Sequence, residues 1–64
     1  MHLTKVAGTC QGGTCPTIYR TERGTFVVQG YTVTDTRDLA LQAHETAVEV
    51  PAALVEDLAR ALAR

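Results

Sequence analysis

The residues of this 64-residue chain whose types and spacing could do chemistry are Cys10, Cys15, His2 and His44. Four residues separate the two cysteines, a spacing compatible with a small disulfide loop, half of a zinc site, or two unrelated thiols. A disulfide closing so short a loop would stabilise the chain by only about 2 kcal/mol, and a reducing cytoplasm opposes its formation. As a metal site, Cys10 and Cys15 would need His2 and His44 to complete a Cys2His2 set. Those histidines are isolated and lack the H-x3–5-H partner spacing of such sites. Cys15 precedes Pro16 at the start of a strand-like stretch, so the preferred reading is a buried thiol capping a sheet. His44 beside Glu45 offers acid–base groups, but the chain contains no Ser and no Asn to complete a catalytic set. Gln11-Gly12-Gly13-Thr14 has glycines without the G-x-x-x-x-G-K-[ST] order of a phosphate cradle. These residues predict no enzyme and no cofactor.

The scaffold is small. Of its large apolar side chains there are six Leu, seven Val, two Tyr and one each of Ile, Phe and Met. Burying each contributes ~1.5–3 kcal/mol, while ordering costs ~1.5 kcal/mol per residue, so the two nearly cancel. A chain of this length is one domain that usually leans on a staple, a metal or a partner. It has no apolar run of about 18 residues to span a membrane, and little material to wall off a pocket of ~300 Å³. The net charge is −1, so no strong bulk attraction to nucleic acid or anionic lipid is expected. The N-terminus lacks the apolar run of a secretory signal, and the expected location is cytoplasmic.

Residues 1–16 are rich in Gly, Thr and Cys and predict a flexible N-terminal arm. Residues 17–64 predict a single β-β-(short α)-β-α domain. Thr17–Thr21 and Thr25–Val33 are dense in β-branched and aromatic residues, with Glu22-Arg23-Gly24 between them, and read as a β-hairpin. With Thr21 opposite Thr25, Ile18 faces Val28 and Arg20 faces Phe26 on one side, and Tyr19 faces Val27 on the other, with Tyr31 and Val33 further along. Both faces are then apolar, which a two-layer domain does not need. Gly30 marks a bulge or a close backbone approach. Thr34-Asp35-Thr36 could cap a short helix from Arg37 to Gln42, and Glu45–Val50 alternates as a third strand. Pro51 to Arg64 reads as an amphipathic helix, with Leu54, Leu58 and Leu62 at i+4 steps. The fold class expected is α+β: a three-stranded antiparallel sheet, made of the hairpin and a third strand, packed by the C-terminal helix.

The run Val48-Glu49-Val50-Pro51-Ala52-Ala53-Leu54-Val55-Glu56-Asp57-Leu58 resembles part of the swapped-hairpin DNA-binding antitoxins and transition-state regulators. That resemblance implies direct DNA binding; in that reading Arg20 and Arg23 on the hairpin, outside the resembling run, are the residues that would read a groove. A broader resemblance covers Cys15 to Leu58, carried by Cys15-Pro16-Thr17-Ile18-Tyr19-Arg20, Gly24, Val27-Val28-Gln29-Gly30-Tyr31 and Glu45-Thr46-Ala47-Val48-Glu49-Val50-Pro51. These residues are similar to small actinobacterial proteins, among them the Streptomyces developmental proteins encoded beside helix-turn-helix (XRE-type) regulators. What it implies is a non-enzymatic partner of a transcriptional regulator, touching nucleic acid only indirectly.

The leading expectation is therefore a homodimeric protein–protein interaction module engaging a helix-turn-helix regulator. Its interface would use Tyr19, Val27, Tyr31 and Val33, with Ile18, Phe26, Val28, Val48, Leu54, Leu58 and Leu62 inside the protomer. The alternatives are direct DNA binding through Arg20 and Arg23, and a zinc or thiol-redox module at Cys10, Cys15, His2 and His44.

Overall fold

A computed structural model describes residues 1–8 and 15–63. The chain is α+β: a three-stranded antiparallel sheet, a second, two-stranded sheet and one C-terminal helix. The elements run β1 (Leu3–Gly8), β2 (Thr17–Thr21), β3 (Phe26–Gln29), β4 (Tyr31–Thr32), β5 (Val48–Glu49) and α1 (Ala52–Leu62).

The hairpin forms in the expected register, with Ile18 opposite Val28, Tyr19 opposite Val27 and Arg20 opposite Phe26. Its turn is built from local chemistry. The Gly24 N–H donates to the Thr21 carbonyl at 3.3 Å, and Gly24 takes φ +79°, a left-handed geometry that glycine adopts without steric cost. The buried Thr21 hydroxyl accepts the Arg23 and Thr25 backbone N–H groups at 3.1 and 3.3 Å and shares a 2.7 Å hydrogen bond with the Thr25 hydroxyl. A β-branched residue with a hydroxyl is thus a strand residue and a turn anchor at once.

The third strand of the main sheet is β1, which pairs antiparallel with β2 from Leu3–Thr21 to Gly8–Thr17 and carries a bulge between Lys5 and Ala7. Residues 3–8 of the expected arm are therefore strand, and residues 9–14 lie outside the described residues. The stretch expected as third strand, Glu45–Val50, contributes only Val48–Glu49, and these pair with Tyr31–Thr32 in the second sheet. The cause is Gly30. A Cβ there would lie 2.7 Å from the Glu49 carbonyl oxygen and 2.8 Å from Val50 Cγ1, so the close approach brings the returning chain to the end of β3, where the long strand divides.

The short helix expected over Arg37–Gln42 does not form; isolated turns occupy residues 37–38 and 43–44. Leu39 and Leu41 are exposed, and a single helical turn without an apolar face to bury does not repay its nucleation. Asp35 instead accepts the Arg37 backbone N–H at 3.3 Å, a local bond that competes with helix.

Helix α1 starts at Pro51, whose extended backbone (φ −64°, ψ 147°) caps it and whose carbonyl accepts the Leu54 N–H at 3.0 Å. Arg60 pairs with Asp57 one turn back. The helix packs on β1 and β2, and the buried core is Ala7, Ile18 and Leu54, flanked by Val6, Val50 and Leu58. Steps of i+4 rotate about 40° around a helix, and burial follows that drift: Leu54 is 2% exposed, Leu58 half-buried and Leu62 50% exposed. Phe26, Val28, Val48 and Leu62, expected inside, are all exposed. A helix is about 10 Å wide and strands lie about 4.8 Å apart, so one helix covers two strands and leaves β3 bare.

Candidate interaction surface

The main sheet presents two unlike faces. On the helix side, Ile18 and Val28 are direct neighbours, as are Arg20 and Phe26. The Arg20 guanidinium sits 5.8 Å from the centre of the Phe26 ring, a cation–π distance. Ile18 is 3% exposed beneath α1, whereas one strand further out Val28 is 40% and Phe26 44% exposed. On the opposite face Tyr19 and Val27 stand side by side, both half-buried, and the Tyr19 hydroxyl donates to Gln29 Oε1 at 3.2 Å.

Of the four residues expected to form one interface, the structure brings Tyr19 and Val27 together in the main sheet. Tyr31 and Val33 belong instead to the second sheet, where Tyr31 is opposite Glu49 and the Val33 N–H donates to the Ala47 carbonyl at 3.0 Å. Tyr31 is 65% exposed. The break at Gly30 is what separates the two pairs. Tyr31 also lines a shallow depression of about 40 Å³ with Cys15, Pro16, Gln29 and Gly30, far smaller than the ~300 Å³ at which ligand pockets begin.

Cys15 is half-buried at the entry to β2 and disulfide-bonded rather than a thiol. Cys10, the other cysteine of the sequence, lies outside the described residues. The Cys15 carbonyl accepts the hydroxyl of the buried Thr17 at 2.9 Å. A sulfur held in a disulfide supplies no thiolate to zinc. His2 lies at the start of β1, its backbone N–H donating to Glu22 Oε2 at 2.7 Å, and His44 lies in the exposed 43–44 turn. Among the described residues no three His, Cys, Asp or Glu side chains converge as a metal site.

The arginines expected for DNA are engaged within the hairpin. Arg20 lies over Phe26, and Arg23 sits in the turn with its Nη2 3.9 Å from Met1 Sδ. Asp35 and Arg37 form a 2.9 Å ion pair in water. The Arg37 side chain, and then its backbone N–H, hold the Asp35 carboxyl below the ordinary value, and the same pairing raises Arg37. No helix among the described residues is long and apolar enough to cross a membrane.

Sequence reasoning missed two features of this surface. One is β1, whose Leu3-Thr4-Lys5-Val6 carries a β-branched signal that the following glycines obscured. The other is the bare outer strand, which needs the width of the helix to be known. Compared with known proteins, the chain matches no family model, no curated protein and no solved structure.

The inventory of apolar surface is lopsided. Among the described residues three apolar side chains are buried and ten large ones are exposed. A compact monomer of this mass exposes about 4,000 Å², whereas this one exposes 5122 Å². Its radius of gyration is 12.8 Å, against about 10.7 Å for a compact chain of this length.

Proposed function

We propose that this chain is a non-enzymatic protein–protein interaction module that homodimerises and serves as the partner of a helix-turn-helix transcriptional regulator. The observation that carries the association is that, among the described residues, ten large apolar side chains are exposed over a core of only three buried apolar residues. Phe26 and Val28 lie on one face of the outer strand, both exposed, and adjoining apolar side chains left in water favour a place where another molecule sits. The regulator as partner class rests on the resemblance of Cys15–Leu58, and Tyr31 is the exposed aromatic best placed to anchor it, since buried Tyr residues dominate interface energetics.

Two measurements test the reading. Sedimentation at micromolar concentration should give a dimer, and a stable, fully folded monomer sinks the association. Co-expression with a helix-turn-helix (XRE-type) regulator of the class that the resemblance implies should yield a complex that Tyr31→Asp weakens by about tenfold or more. A complex unmoved by that change removes Tyr31 from the surface. The site of action is proposed to be the cytoplasm, although the disulfide at Cys15 favours an oxidising compartment instead; alkylation and mass measurement of the protein from its host decides between the two.

A further inference from the structure

We infer that the outer edge of β3 is the dimer seam: two copies pair their β3 strands antiparallel about a two-fold axis at Val27, joining two three-stranded sheets into one of six strands. The inference rests on the homodimer reading and specifies how that dimer is built.

The backbone defines which groups are on offer. The Thr21 N–H donates to the Thr25 carbonyl at 2.9 Å, and hydrogen-bonded pairs alternate along an antiparallel ladder. Val27 opposite Tyr19 and Gln29 opposite Thr17 therefore point their N–H and C=O groups inward to β2. Phe26 and Val28 turn theirs outward, and among the described residues no strand pairs with that side. The two edges of the sheet differ in just this respect. β1 is interrupted by a bulge, carries Lys5 and is overlain by the helix, which are the usual protections against edge pairing. β3 reads Phe-Val-Val-Gln, with no charge, no Pro and no bulge.

The side chains fit a second copy of the same strand. With Val27 on the axis, Phe26 lies opposite Val28 of the other copy, and their outward N–H and C=O groups exchange two hydrogen bonds at each of the two equivalent pairs. Opposed residues share a sheet face, so both Phe26 and both Val28 side chains gather on the helix side, in the strip that α1 leaves bare. They would form a continuous apolar cluster between the two helices. The uncharged run from Thr25 to Gly30 brings no like charges face to face across the seam.

Two variants read the seam. Val28→Pro removes a donor that points away from β2, so the β2–β3 ladder survives, which circular dichroism checks. It should raise the dimer dissociation constant by about tenfold or more in sedimentation. Val27→Cys places two thiols at a non-hydrogen-bonded pair, about 4.5 Å apart at Cα, within disulfide reach. Mild oxidation should then give a covalent dimer by mass, whereas Phe26→Cys, off the axis, should not. A wild-type dimer that Val28→Pro leaves intact and Val27→Cys fails to trap overturns the seam and leaves the homodimer reading standing. A wild-type chain that stays folded and monomeric overturns both.

Discussion

The unit built from β1, β2, β3 and α1 and the segment from Gly30 to Val50 are made of similar residues but held by different means. The first contains every buried residue among those described: Ala7, Thr17, Ile18, Thr21 and Leu54. The second has none; it is a two-residue ladder followed by turns, and its Tyr31, Leu39, Leu41 and Val48 side chains face water. Net stability concentrates where a helix can lie on a sheet, because burial there offsets ordering entropy. In the second region the backbone is ordered by local bonds such as Asp35 to Arg37, which contribute little in water. The contrast shows how one helix divides a short chain into a part with a core and a part without one.

The contrast is broken most severely at Leu54. Leu54→Ala should cost about 2–5 kcal/mol, a large share of the total for a domain this small, and circular dichroism in urea should show a chain largely unfolded without denaturant. A smaller loss would mean that the core extends beyond the three residues seen. Gly30→Ala attacks the link between the regions, since the added methyl meets the Glu49 carbonyl and Val50. Overpacking of this kind costs about 1–3 kcal/mol. The Val33 amide, bonded to Ala47, should lose hydrogen-exchange protection, while the Tyr19 amide inside the main sheet keeps it.

Leu41→Ala sharpens the comparison from the other side. An exposed leucine outside any element should move the urea midpoint by no more than about 0.5 kcal/mol, and a loss as large as that at Leu54 would place a hidden contact in this segment. The smallest effect is expected at Asp35. Its carboxyl is held below 3.8 in the folded chain by Arg37, so whatever stability it contributes is present above that pH and lost as pH falls through the lowered folded value. Asp35→Asn should therefore lower the melting temperature marginally at neutral pH and not at all in strong acid. Because both groups are bathed in water, salt should erase even the neutral difference.

The sites differ in legibility for the same reason as the regions. Tyr19 and Val27 meet as their alternation requires, because register in a hairpin follows from the turn. The separation of Tyr31 and Val33 from them depends on which chain approaches Gly30, a contact from eighteen or more residues downstream. Phe26 and Val28 have the composition of core residues, and their exposure follows from the position of a helix that reaches only β1 and β2.

By itself the sequence determined the local features: the hairpin register, the left-handed turn at Gly24, the close approach at Gly30 and the helix after Pro51. Each is decided within a few residues, by a side chain that needs or forbids a particular backbone. Only the tertiary structure decided that β1 supplies the third strand, that Val48–Glu49 pairs elsewhere, and that β3 remains uncovered. Those outcomes are competitions between distant segments for the same edge or face. The alternation of a strand says which side chains share a face and carries no information about which neighbour arrives to cover it.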